Sequence, residues 1–226
     1  MTMGRHMCAI AVSVFFMISA LALTLVSIYF DYWYEVDASG NSNSTIKNKY
    51  SYRYGMWRKC YLNEVPADEE RKRYGSCVYT YQDLIPRVEP TASDDIRYLH
   101  LERSWIGLLI TCGALQIFAV LTIICGLWPC RQNPKRSSIY LGSAILFLLA
   151  AMAGVASNVC FMALRDLDEN KYHRYPDSTT IQYLWTFMTS WIGTGLLFIL
   201  AFMYICLLCV DYDDVNESGK YSTFPE

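Results

Sequence analysis

The sequence predicts an all-α membrane protein, a four-transmembrane-helix bundle with a small extracellular antiparallel β-sheet from its first loop. Three observations carry this reading. Residues 7–30, 104–128, 139–164 and 181–210 contain no Asp, Glu, Lys or Arg. Each run exceeds the roughly 20 helical residues that cross a hydrocarbon core, and lipid obliges such runs to satisfy their own backbone hydrogen bonds. Of nine cysteines, only Cys60 and Cys77 fall well outside the runs. Between them and around them, tyrosines alternate with small or charged residues, the period-two pattern of strands.

The first run has about 24 residues, too many for the apolar region of a signal peptide, and no small-x-small pattern precedes Asp31. It is expected to stay as an uncleaved first helix. The short connections set the orientation. Residues 129–138 carry Arg131, Lys135 and Arg136 without an acid, whereas 165–180 mix three bases with four acids. The positive-inside rule then places both termini and 129–138 in the cytoplasm. The first loop, 31–103, and the second, 165–180, are expected outside. Residues 1–210 form one tetraspan domain, and 211–226 form a short acidic cytoplasmic tail, expected to be disordered.

Within the first loop, 49–56 and 76–81 are the expected strands. Tyr50, Tyr52 and Tyr54 alternate in one, while Cys77, Tyr79 and Tyr81 share a face opposite Val78 and Thr80 in the other. Tyr32, Trp33 and Tyr34 are placed to begin the sheet. Cys60 and Cys77 are the isolated pair in an oxidising compartment, where a disulfide persists, and it would hold the two strands antiparallel. Asn43-Ser44-Thr45 is a glycosylation sequon in the same loop. Asn216-Glu217-Ser218 is another, on the cytoplasmic side, where it should remain bare.

Several residues combine into a recognisable pattern. Asp31-Tyr32-Trp33 follows the first helix, then come Gly55-Met56-Trp57-Arg58-Lys59-Cys60, Cys77, and Arg103 at the mouth of helix 2. The arrangement resembles the claudin superfamily of claudins, peripheral myelin proteins and calcium-channel gamma subunits, with Met56 in place of the usual leucine. Its first-loop elements are closer to the gamma-subunit branch and transmembrane protein 178 than to barrier claudins. The interval from Cys60 to Cys77 is longer than is usual in claudins, and the chain ends Thr223-Phe224-Pro225-Glu226 without a tyrosine-valine scaffold motif. The resemblance implies that Arg103 stabilises the contact of the first loop with the bundle. An arginine snorkelling to the interface is the plainer explanation.

In helix 3, Ala150/Gly154 and Ala153/Ser157 are small-xxx-small pairs suited to close helix packing. Gly193 and Gly195 offer a matching surface in helix 4. Gln116 and Asn158 are expected to make interhelical hydrogen bonds. With these bounds no acid or base lies inside a helix, which argues against a pore or proton-coupled transporter. No metal-ligand spacing, phosphate loop or nucleophile elbow appears, so neither enzymatic activity nor a cofactor is expected. Arg165-Asp166-Leu167-Asp168-Glu169 lacks the remaining ligands of a calcium loop and is expected to be a solvated helix end. Cys125, Cys130, Cys206 and Cys209 lie near cytoplasmic helix ends, suitably placed for palmitoylation. Net charge is −2, which gives no general attraction to nucleic acid.

These features, with the resemblance, imply a non-enzymatic auxiliary subunit of an ion channel or receptor, connected with calcium signalling. Helices 3 and 4 and the first loop would contact the pore-forming partner, and Trp33, Trp57 and the Cys60–Cys77 bridge would shape the sheet. The alternative is a claudin-like adhesion protein that self-associates at cell junctions. The plasma membrane is the expected site, with the endoplasmic reticulum a second candidate.

Overall fold

The structure, a computed structural model, describes residues 3–67, 69, 73–80, 93–126, 136–171, 175–176 and 178–221. Four long helices are present: α1 (Met3–Tyr29), α3 (Ser93–Gly126), α4 (Arg136–Asp166) and α5 (Trp185–Tyr221). Each contains a segment long and apolar enough to span a membrane. A short helix, α2 (Ser44–Tyr50), and strands β1 (Tyr34–Asp37), β2 (Tyr52–Tyr54), β3 (Arg58–Tyr61), β4 (Arg73–Tyr74) and β5 (Cys77–Tyr79) lie between α1 and α3. β6 (Thr180–Tyr183) precedes α5.

The chain divides into two compact units. The first comprises Met1–Ala22, Thr111–Ala153 and Ile192–Glu226. Its core is built from small residues on four helices, including Ala20, Ala119, Ala144, Ala150 and Ala201, all nearly solvent-free. Such residues let helices approach closely enough for dispersion contacts to hold them. Phe147 and Tyr204 fill the remaining space, their ring centroids 5.5 Å apart. Gly126 makes room for Ile139, whose side chain would lie 2.6 Å from a Cβ at that position. Gln116 Nε2 donates to Cys112 Sγ, one turn back in its own helix.

The second unit comprises Leu23–Ile110 and Gly154–Trp191. Its six-stranded antiparallel sheet runs β4-β5-β3-β2-β1-β6. Alternation sorts its side chains by face. Tyr34, Val36, Tyr52, Tyr54, Tyr61 and Val78 are buried and share a core with Trp105 and Leu109 of α3, Phe161 and Leu164 of α4, and Phe187 of α5. The opposite face carries Glu35, Arg53, Cys60 and Cys77 in successive register. Glu35 and Arg53 form an ion pair at 2.6 Å. Asn158 Oδ1 accepts from Ser190 Oγ at 2.8 Å, the expected interhelical bond.

Cys60 and Cys77 are bridged and stand directly opposite one another on β3 and β5. Cys60→Ser should lower stability by about 3 kcal/mol, the loop-closure value for this spacing. Thermal unfolding of the detergent-solubilised protein reads this. An unchanged midpoint would show that the ladder hydrogen bonds alone hold β3 and β5 together.

Several boundaries differ from those expected. The sheet is not made from the first loop alone, because 180–183 adds β6 along β1. Ile181, Tyr183 and Leu184 are apolar and had extended the helix 4 run, yet Thr179, Thr180 and Ile181 favour strand. Residues 49 and 50 end a helix rather than begin a strand. Asn43 caps that helix, its Oδ1 accepting from Thr45 N at 3.0 Å, and the helix has no buried residue to betray it as a pattern. Cys60 lies within its own strand, so β5 pairs with β3 and not with 49–56; Tyr81 lies outside the described residues. Helix α3 begins eleven residues before 104. In the tail expected to be disordered, α5 continues to Tyr221.

Candidate functional site

The second unit contains a cavity of about 460 Å³ beneath the buried face of the sheet. Its walls come from β1–β3, the loop after β3, the first turns of α3 and the end of α4. The short helix α2 and the second loop contribute Lys49 and Tyr175.

Three buried charges meet here. Arg165 closes α4 and is only 6% exposed, Asp168 is 1% exposed and Glu102 of α3 is 4% exposed. A π-helical turn over Leu167–Lys171 brings Asp168 back to Arg165, with Nη1 to Oδ2 at 2.9 Å. Arg165 Nη1 also donates to the Tyr34 hydroxyl. The guanidinium carbon lies 4.5 Å from the Tyr34 ring centroid, 5.3 Å from Tyr54 and 5.4 Å from Phe161. A cation desolvated among aromatic faces is held by their quadrupoles.

The tyrosines supply donors. Tyr54 donates to Glu102 Oε1, Tyr61 to Glu69 Oε2 at 2.7 Å, and Tyr98 to Asp168 Oδ2 at 3.3 Å. The hydroxyls of Tyr52 and Tyr175 are 3.2 Å apart. Lys59 Nζ sits 3.8 Å from the Tyr52 ring centroid and 4.8 Å from that of Tyr61. Burial pushes the Tyr34, Tyr52 and Tyr54 hydroxyls well above their ordinary pKa, with Glu102 adding to the effect at Tyr54. All three therefore remain protonated, and so able to donate, throughout the physiological range.

The reading of 165–169 as a solvated helix end is thus corrected. The apolar run ended at Leu164, but the helix and its buried stripe did not. Glu102 and Arg165 lie within the candidate spans of α3 and α4, where no acid or base was expected. Arg103 is exposed, and its neighbour Glu102 is the residue that lines the cavity and meets β2.

The other motif residues have distinct places. Trp33 is fully buried, its Nε1 donating to the Ser27 carbonyl at 2.8 Å. Its ring packs 5.0 Å from Trp105 and 4.9 Å from Phe161. Trp57 is 38% exposed in the turn between β2 and β3, where its carbonyl accepts from Thr80 N at 3.0 Å. Gly55 is required by close approach, since a Cβ there would fall 2.3 Å from Asp31 Cα. That contact seats Asp31 beside Arg58, with Oδ2 to Nη2 at 2.6 Å. Burial lifts the Asp31 carboxyl above its usual range, and Arg58 offsets this only in part. Gly55→Ala should cost about 1–3 kcal/mol through this overlap, read as a fall in thermal midpoint. Wild-type stability in that variant would mean that the turn shifts freely.

Tyr29, Tyr32 and Trp185 are exposed, as an interfacial aromatic belt requires, while Trp33 and Tyr34 point into the core. Cys125, Cys206 and Cys209 are exposed thiols; Cys130 lies outside the described residues. Among the described residues, no cluster of His, Cys, Asp and Glu is placed to hold a metal ion.

A family model described as PMP-22/EMP/MP20/Claudin tight junction matches residues 7–206. The chain belongs to this claudin family. No curated protein matches it. Membership accounts for the four spans with a small antiparallel sheet and supports a non-enzymatic, multi-pass membrane protein. Trp33, Gly55, Trp57 and the Cys60–Cys77 bridge, read as a family pattern in the sequence, all fall within the matched region.

Proposed function

We propose that this claudin-family protein is a regulatory subunit of a pore-forming channel or receptor, acting in calcium signalling. The observation that carries this is the packing of the first unit. Its core is mainly aliphatic and aromatic, and the polar side chains buried among its described residues, Ser13, Gln116, Ser143 and Thr194, are all uncharged. Such a bundle offers no ion path of its own, so an effect on conduction must pass through a partner. The disulfide-braced sheet and exposed Trp57 supply the outer contact in this reading, and the lipid-facing sides of α4 and α5 supply the membrane contact. Affinity purification from a mild detergent, with mass spectrometry, tests it. A stoichiometric pore-forming subunit is the expected result, and recovery of self-oligomers alone would overturn it.

The description of the matching family as tight junction favours a second reading, in which copies of the chain assemble at cell contacts. Enrichment at cell borders with altered junctional resistance would select it.

In either case the sheet faces the exterior or the lumen, and both termini face the cytoplasm. Asn43 is exposed at the start of α2. Its capping bond uses the amide oxygen, whereas a glycan attaches at the nitrogen, so the two are compatible. Asn43→Gln should abolish a glycosidase-sensitive mobility shift, and Asn216→Gln should leave it intact. The reverse pattern would invert the orientation. Acylation of Cys125, Cys130, Cys206 or Cys209 belongs to the same orientation.

A further inference from the structure

Arg165 uses only part of its hydrogen-bonding capacity. Nη1 is engaged by the Tyr34 hydroxyl and Asp168, whereas Nε and Nη2 are buried with no hydrogen-bond partner among the described residues. Those two nitrogens form one edge of the guanidinium plane, spaced to meet two oxygens of a carboxylate or phosphate in parallel. Leaving a buried charged donor unmade is costly. The residue also lines a cavity roomy enough for a small ligand.

The rest of the wall mixes both signs, Lys49 and Lys59 with Glu69, Glu102 and Asp168. Its carboxylates already accept bonds: Glu102 from Tyr54, Glu69 from Tyr61, Asp168 from Tyr98 and Arg165. Lys59 adds a second cation above the Tyr52 ring. The mutual bond of Tyr52 and Tyr175 uses one of their two protons, which leaves a hydroxyl donor at the wall.

We infer that this cavity binds the oxyanion of a small ligand, a phosphate or carboxylate, on the Nε–Nη2 edge of Arg165, with Tyr175 donating a further bond. Both nitrogens are covered in the free protein, so binding requires the guanidinium to turn toward the cavity. The inference stands apart from the regulatory and junctional readings, since it concerns only this unit. The anion can come from a lipid headgroup or from solution.

Full-length protein in phosphatidylcholine nanodiscs would be heated while tryptophan fluorescence is followed, with inorganic phosphate or acetate titrated in. A parallel set would contain graded phosphatidic acid. A ligand that binds only the native state raises the midpoint in a saturable manner. A shift with phosphate or acetate assigns a soluble anion, and a shift with phosphatidic acid alone assigns a headgroup. In either case Arg165→Lys should weaken binding about tenfold or more, the worth of a charged hydrogen bond. Tyr175→Phe keeps the ring and every charge, and should weaken binding several-fold; it decides the matter if Arg165→Lys does not fold. No saturable shift with any of the three probes, or undiminished affinity in both variants, overturns the inference.

Discussion

Arg165→Ala should destabilise the protein by about 3–5 kcal/mol, the usual consequence of removing one partner from a buried ion pair. Asp168, 1% exposed, would lose the cation 2.9 Å away. The rings of Tyr34, Tyr54 and Phe161 would lose the group they enclose. Replacing both partners distinguishes charge from packing. Arg165→Met with Asp168→Leu removes both charges while keeping side-chain bulk, and should lie far closer to the parent, because neither desolvated charge remains. The measurement is thermal unfolding in detergent of the two single variants and the double. Equal losses in single and double variants would show that the aromatic cage, and not the ion pair, carries the energy.

Trp33→Ala should cost a similar amount, about 3–5 kcal/mol. The indole is fully buried where β1 begins and touches α3, α4 and α5 through Trp105, Phe161 and Phe187. No nearby side chain is free to collapse into the space, because the neighbouring rings are fixed by their own contacts. Trp33→Phe keeps an aromatic body but leaves the Ser27 carbonyl without its donor, so it should fall between the alanine variant and the parent. A loss in the phenylalanine variant as large as in the alanine one would place the energy in the hydrogen bond.

Much of this was legible in the sequence, and the omissions have physical causes. The four spans follow from uninterrupted apolar runs, a signal that lipid imposes strongly. The strands at 52–54 and 77–79 follow from alternation. β3 escaped notice because Arg58-Lys59-Cys60 is polar on both sides of the pleat, and the sheet uses it as a central strand through its backbone. The buried charges escaped because helix ends were placed where apolar residues stop. Burial in α4 recurs at Phe147, Ala151, Gly154, Asn158, Phe161 and Arg165, and continues to Asp168 in the π-helical turn. That alternation of four and three residues passes the last apolar residue without a break. The same extension in α3 runs backward from Ile123 through Gln116 and Leu109 to Glu102. Spacing held the information that hydropathy discarded. The cavity itself was beyond reach, since its walls come from segments far apart in the chain, and no local pattern joins Lys59 to Arg165.

The place of β6 in the sheet has a consequence for how the molecule is made. Asp37 of β1 pairs with Thr180 of β6, and 143 residues separate them. As the chain emerges from the ribosome, β2 and β3 become available early, but the other edge of β1 stays open until α3, α4 and the second loop have followed. An open edge is a template for unwanted pairing, and contacts between distant residues form slowly. Completion of the sheet thus reports that α4 and the second loop have been made, and a chain stalled before residue 180 displays an unpaired β1 edge.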